Sequence, residues 1–178
     1  AQVVGEQILY LDDALQAGNR YFYQVIGFDQ DKQPGVPSPV LSHAWDTLPQ
    51  PPGAPQAQAG DRQIRLSWTM VTRLLDGRPA PEPLTYNIYR RQEGSSWTRI
   101  NSEPVLDAWF QDLTVANDIT YQYLIRTVRT VAGDALESPD SLMLTARPMD
   151  LTPPAPVQQL VAVPTSQGIE LRWQPSPE

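Results

Sequence analysis

Laid over itself with a shift of 100 residues, the chain places Asp12 on Asp112, Tyr21 on Tyr121, Tyr23 on Tyr123, Ser38 on Ser138 and Pro39 on Pro139 without a gap. The positions between keep their character, with Tyr10 over Phe110, Leu15 over Val115 and Val25 over Ile125. Tyr21, Tyr23 and Val25 are two apart, as are their counterparts, which is the period of a strand with one face turned to a core. Self-similarity at a fixed period means one small unit repeated. The 178 residues are therefore read as successive modules and not as one large domain.

A second repeat follows a slightly different offset. PQAQAGDRQIRLSW (55–68) resembles PVQQLVAVPTSQGIELRW (156–173), with the proline-to-tryptophan spacing grown from 13 to 17. Ile64, Leu66 and Trp68 alternate with Arg65 and Ser67, and Ile169, Leu171 and Trp173 alternate with Glu170 and Arg172, so each run reads as a half-buried strand. Proline stiffens an extended chain and cannot donate to a ladder. The stretches LPQPPGAP (48–55) and LTPPAP (151–156) thus mark boundaries. The expected division is the second half of a module over 1–46, a complete module over 47–149, and the opening strands of another over 150–178.

The 19 prolines and 10 glycines, scattered among short runs of Val, Ile, Leu, Tyr and Trp, fit many brief strands and leave helix a minor element. A net charge of −7 gives no basic field for phosphate backbones or anionic lipid, so nucleic acid is not an expected partner. The absence of cysteine removes disulfides, thiolate metal sites and thiol nucleophiles. No apolar run approaches the roughly 20 residues that span a bilayer. The opening AQVVGEQILYL lacks the basic start and apolar core of a signal peptide. No Asn-x-Ser/Thr sequon occurs, which disfavours a glycosylated animal ectodomain.

The proline-rich opening strand, the tryptophan of RLSW (65–68), YNIYR (86–90) and YQYLIRTV (121–128) stand in the order of the fibronectin type III family, which the chain resembles. That resemblance implies an all-β fold of tandem immunoglobulin-like sandwiches, seven strands to a complete module. It puts strand A near 54–59, B near 63–70, C near 84–91, C′ near 96–100, E near 108–112, F near 120–130 and G near 138–147, with the Ser138-Pro139 pair opening G after a turn over 132–137. It also makes Tyr121, six residues after Val115, the tyrosine whose hydroxyl closes a corner onto nearby backbone, with Tyr21 repeating it. The expected core is Ile64, Leu66, Trp68, Tyr86, Ile88, Val115, Tyr121, Tyr123 and Ile125, which two facing sheets would interdigitate. The repeated strands, proline linkers and missing sequons look most like bacterial multi-module surface proteins or lipoproteins.

Residues with chemical potential are few. His43, the single histidine, is expected on a solvated strand end. Asp12 and Asp13 point opposite ways in an extended segment, and an acid there reads as a turn former bonding backbone amides. Asp46 and Asp150 take matching linker positions, yet one acid per junction falls short of the roughly six to eight oxygens calcium requires. No phosphate-binding glycine motif exists, and neither cofactor nor metal is expected. With Tyr86 and Ile88 inward, Tyr89 and Arg91 on strand C and Leu124 and Arg126 on strand F point outward together. Tyr and Arg beside an exposed leucine make this the candidate interaction surface, against the plainer reading of cross-strand pairing on a solvated face. The B–C segment over 71–84 is long for a sandwich and is a second candidate, or a stiff spacer.

These features point to a non-catalytic spacer or protein–protein interaction scaffold on an exported protein, extracellular or periplasmic, anchored through a segment outside this sequence. Its partners would be other proteins, neighbouring modules or further copies. The alternatives are accessory modules of a larger carbohydrate-active enzyme and a self-associating adhesin or filament subunit. Residues 1–46 and 150–178 would leave inner faces and strand edges bare, so the missing strands are expected from flanking chain or a bound neighbour.

Overall fold

The computed structural model describes residues 2–4, 7–81 and 83–177. Among them every regular element is a strand. The first piece holds β1 (Gln2–Val4), β2 (Gln7–Leu9), β3 (Asn19–Tyr23) and β4 (Leu41–Trp45), paired as β1 with β2 and β3 with β4. The middle holds β5 (Gly53–Gly60), β6 (Gln63–Thr69), β7 (Thr85–Gln92), β8 (Thr98–Arg99), β9 (Trp109–Asp112), β10 (Tyr121–Val131), β11 (Asp134–Glu137) and β12 (Leu144–Ala146). The last piece is the hairpin of β13 (Gln158–Thr165) and β14 (Gly168–Gln174).

Alternation of apolar and polar residues puts one face of each middle strand inside. β5, β6 and β9 form one antiparallel sheet, and the second runs β8-β7-β10 with β11 and β12 on the far edge of β10. All nine residues expected in the core are buried in one cluster between the sheets, joined by Val71, Leu84 and Ala146. Trp68 stands edge-on to Tyr86, ring centres 5.0 Å apart, and the Tyr86 hydroxyl accepts the Val71 amide at 2.8 Å. Asn101 does a job the period-two pattern does not announce. Its side chain accepts the Ile88 amide at 2.8 Å and donates to the Tyr86 and Glu103 carbonyls, sealing the buried edge of β7.

The last strand departs from expectation. The turn is only Ala132-Gly133, both left-handed (φ 47° and 85°), the two-residue hairpin geometry that suits the strand twist. β11 therefore begins at Asp134, ahead of Ser138-Pro139, and the serine–proline pair interrupts the strand instead of opening it. Pro139 has no amide to give, and hydroxyls fill the gap. Ser138 accepts the Thr127 amide at 2.9 Å and Ser141 accepts the Ile125 amide at 3.0 Å. Their own amides donate to the carbonyls of Thr127 and Ile125. In the first piece Ser38 makes this same exchange with Val25. Since Val25 matches Ile125, the structural counterpart of Ser38 is Ser141, and the ungapped match of Ser38 with Ser138 is corrected. Three residues more lie between Ile125 and Ser141 than between Val25 and Ser38, and they lengthen the β10–β11 hairpin.

The hairpin β13–β14 copies β5–β6 closely. Ala57 pairs with Leu66 and Ala162 with Leu171; the bulges fall between Gly53 and Gln56 and between Gln158 and Val161. Ala54 and Gln159 share the left-handed φ of the bulge, at 44° and 51°. Every pair is displaced by 105, so Leu160, not Pro156, holds the place of Pro55, and the extra residues precede the strand.

Trp68→Ala should cost about 3–5 kcal/mol, because it empties the centre of the cluster. Urea denaturation followed by far-ultraviolet circular dichroism measures it, and a midpoint matching the parent would contradict this placement of β6.

Candidate functional site

The repeated tyrosines and aspartates converge twice. The Tyr121 hydroxyl accepts the Ala116 amide at 3.1 Å, and the Tyr21 hydroxyl accepts the Gln16 amide at 2.6 Å. Two residues on, Tyr123 donates to Asp112 at 2.9 Å and Tyr23 to Asp12 at 3.1 Å. Asp112 is buried, and it also receives Arg90 at 2.7 Å, the Thr114 amide at 2.9 Å and the Thr114 hydroxyl at 2.7 Å. Burial pushes its carboxyl up, but Thr114, Arg90 and Tyr123 together outweigh that and hold it below the ordinary aspartate value. Burial and the same carboxylate push the Tyr123 phenol far up. Asp12 bonds the Ala14 amide at 3.3 Å, the turn role expected of it.

The outer face of β7 and β10 brings the candidate interaction residues together in part. Tyr89 lies directly opposite Leu124, and the Arg126 guanidinium sits 4.8 Å from the Tyr89 ring centre. Arg91 pairs with Gln122 and stacks at 4.4 Å on Trp97, which the sequence reading did not include. Leu124 departs from expectation: it is only 8% exposed, covered among these long side chains, and offers no apolar patch. The polar groups are largely spent on one another. Glu137 accepts the Tyr89 hydroxyl at 2.8 Å, Asn87 at 2.5 Å and Arg126 at 2.9 Å, while Asp140 takes a further Arg126 bond at 2.6 Å. Burial raises the Glu137 carboxyl, and the bonds from Asn87, Arg126 and Tyr89 more than reverse it. Glu137 and Asp140 lie on the interrupted last strand, whose register the Ser-Pro match disguised.

A denser constellation lies where the first piece meets the β10–β11 hairpin. Arg20 donates to the Ala132 carbonyl at 2.9 Å and to the Asp134 carboxylate, whose other oxygen accepts the Ala44 amide at 2.6 Å. In the opposite sense, Arg129 on the hairpin reaches back to Asp46 at 3.1 Å and to the Thr47 carbonyl at 3.0 Å. Between these crossed pairs Ala44, Val131, Leu136 and Leu48 form a small apolar cluster. His43 stands at the rim, largely exposed, 3.4 Å from Asp134. The Ala44 amide, then Arg20, hold the Asp134 carboxyl below its usual value.

The long B–C segment completes this joint. It folds back on itself, with the Leu74 amide bonded to the Arg78 carbonyl, and buries Leu74 against Pro49. The Leu75 amide donates to the Leu48 carbonyl at 2.9 Å and the Gln50 amide to the Arg73 carbonyl at 3.0 Å. Thr47 to Gln50 is thus gripped from two sides. The expected equivalence of Asp46 with Asp150 fails by one residue. His43 pairs with Tyr21 as Ala146 pairs with Tyr121, so Met149 matches Asp46. Asp150 instead bonds the Thr152 amide at 2.8 Å. Among the described residues no three acidic or histidine side chains converge on a point that could hold a metal ion.

Two sheets in the order β5-β6-β9 and β8-β7-β10 with the split last strand, closed by the Tyr121 corner, decide the architecture. The fold is fibronectin type III-like. No family model matches the chain. Among solved structures, the chain is similar to the FN1–FN3 domains of chicken CNTN1 at 16% identity and TM-score 0.48, covering 88% of this chain and 54% of that one. A Fn3-like protein from Clostridium thermocellum is similar at 20% identity and TM-score 0.39, covering 60% of this chain and 99% of that one. A β-1,2-glucanase from Parabacteroides distasonis is similar at 22% identity and TM-score 0.45, over 60% of this chain and 14% of the glucanase. The chain thus spans about half of the chicken structure and a small part of the glucanase. No helix among the described residues is long and apolar enough to cross a membrane.

The Asp112 arrangement sets an acid limit. A carboxyl held below its free value stays charged in the fold where the unfolded chain has taken up a proton, so its stabilisation is complete above about pH 3.9 and is lost as pH falls through the lower folded value. Denaturant midpoints measured from pH 6 to 2 should fall steeply below pH about 4. In Asp112→Asn the midpoint should be lower at pH 6 and the acid slope shallower. An unchanged acid slope would remove Asp112 from this role.

Proposed function

We propose that the chain is a non-catalytic spacer and protein–protein interaction scaffold, exported to an extracellular or periplasmic setting, whose task is to hold successive sandwiches at a fixed angle. The observation that carries this reading is the grip on Thr47 to Gln50. A flexible tether leaves its backbone in water, whereas this linker gives carbonyls to Arg129 and Leu75 and takes one from Arg73. The B–C segment has its length because it must reach around the linker, and the β10–β11 hairpin is three residues longer than its counterpart because it must reach across to Ala44 and Arg20.

The outer face around Tyr89, Arg91 and Arg126 is the proposed contact surface for a partner protein. Arg91 lies over the Trp97 ring and bonds the Gln122 amide, and Arg126 lies over the Tyr89 ring and bonds Glu137 and Asp140, so little side-chain freedom remains to be lost on binding. Within the joint the Arg129–Asp46 pair is well shielded, and opening it would leave both charges away from water.

Limited proteolysis with thermolysin tests the rigid joint. The bond before Leu48 should resist cleavage in the parent chain. In Arg129→Gln it should be cut several-fold faster while the sandwich keeps its circular dichroism spectrum. Equal cleavage rates in the two would contradict the fixed-angle reading.

A further inference from the structure

The sheet opposite Tyr89 and Arg126 carries a second outward face of different chemistry. Across β5, β6 and β9, Gln56 stands beside Ser67 and Ser67 beside Trp109, and the next row runs Gln58, Arg65, Gln111. Gln63 opens a third row beside Gly60. None of these side chains is acidic, although the chain carries a net charge of −7. A shallow cleft of about 260 Å³ crosses the second and third rows, lined by Gln58, Gly60, Gln63, Arg65 and Gln111. Gly60 keeps it open, since a Cβ there would meet the Cγ and Nε2 atoms of Gln63 at 3.2 Å.

Around Glu137 the polar groups are spent on one another; here they are not. Gln111 donates to the Gln63 side-chain carbonyl at 2.5 Å, which leaves the Gln63 NH2 group and the Gln111 oxygen without a partner among the described residues. Gln56, Gln58 and Ser67 make no side-chain hydrogen bond among those residues either. The Arg65 guanidinium lies 5.0 Å from the Trp109 ring centre, and Trp109 stays 44% exposed. An amide donates and accepts, as a hydroxyl does, and an exposed indole offers a flat apolar surface to the C–H face of a sugar ring. The repeats set this face apart. β14 keeps the Ile, Leu and Trp series of β6, but its hairpin puts Val161 and Val163 at the places of Gln56 and Gln58, and Glu170 at that of Arg65. The first piece has Leu9 and Leu11 for Trp109 and Gln111. The packing pattern is repeated, and the amide-and-indole face belongs to the middle module. We propose that this face binds an uncharged polysaccharide strand, laid along β6 with one sugar ring on Trp109 and the hydroxyls of the following rings on the glutamine amides. Ser67 to Gln63 spans roughly 13 Å at about 3.4 Å per residue, which is room for more than one ring. An anionic ligand would find a single guanidinium there, already laid on Trp109, and a protein partner would find almost no charge to orient it.

Affinity electrophoresis of the full chain tests this, in native gels cast with hydroxyethyl cellulose, xyloglucan, glucomannan or soluble starch, and with heparin as the anionic counterpart. At least one of the neutral polymers should retard the chain, and heparin should not. Trp109→Ala should raise the apparent dissociation constant about ten-fold. The double variant Gln58→Ala/Gln111→Ala removes exposed side chains only, keeps the circular dichroism spectrum of the parent, and should weaken retardation several-fold; it decides the matter if Trp109→Ala does not fold. Unchanged migration in every neutral gel, retardation by heparin alone, or parent-like retardation of the folded variants would each overturn the proposal. Proteolysis at Leu48 tests the spacer reading separately, so either idea can fail alone.

Discussion

Strand β10 supplies two edges and two faces, and the molecule is arranged along them. One edge takes β7 over eight consecutive pairs, and the other takes β11 and β12. Its inner face gives Tyr121, Tyr123 and Ile125 to the core, and its outer face gives Arg126 to the Tyr89 ring. Because a strand turns alternate residues to opposite sides, continuing it past the sandwich carries Arg129 and Val131 out to meet Asp46 and Ala44. The joint between repeats is thus an overhang of the central strand and shares its rigidity.

The core was legible because burial on a strand follows a period of two, and Ile64, Leu66 and Trp68 announce that period among polar neighbours. The tyrosine corner was legible because it occurs twice at one spacing. The last strand was not. Ser38-Pro39 and Ser138-Pro139 are identical in letters, but hydrogen bonding equates Ser38 with Ser141, and an insertion between similar strands is invisible when a chance match bridges it. Leu124 was misjudged for a related reason: strand parity puts it outward correctly, but long neighbouring side chains decide how much of it water reaches. The joint could not be foreseen, since Arg20 with Asp134 and Arg129 with Asp46 lie far apart in sequence and follow no period.

Carboxylates recur as organisers of this structure. Asp112 and Glu137 each collect three or more donors and Asp134 collects two, and each is held below its ordinary titration range by those bonds. A buried or half-buried acid with so many donors fixes the direction of every group that reaches it. Asp112 orients Tyr123 and Arg90 beneath the corner, Glu137 fixes the outer face, and Asp134 fixes the joint. An acidic chain thereby uses its arginines locally, on named carboxylates and on aromatic rings.

The near-identity of β5–β6 and β13–β14 poses a problem of copy confusion during folding. A nascent β9 meets two hairpins with the same register and the same bulge, and neighbouring similar repeats are prone to exchange strands. A single side chain discriminates between them. The Arg65 guanidinium lies 5.0 Å over the Trp109 ring, whereas β14 offers Glu170 at that place, whose negative charge meets the negative face of the indole. The first piece has Leu9 where Trp109 stands and imposes no such test. Divergence at this one outward position works as proofreading at β9, favouring β6 over β14 as its partner.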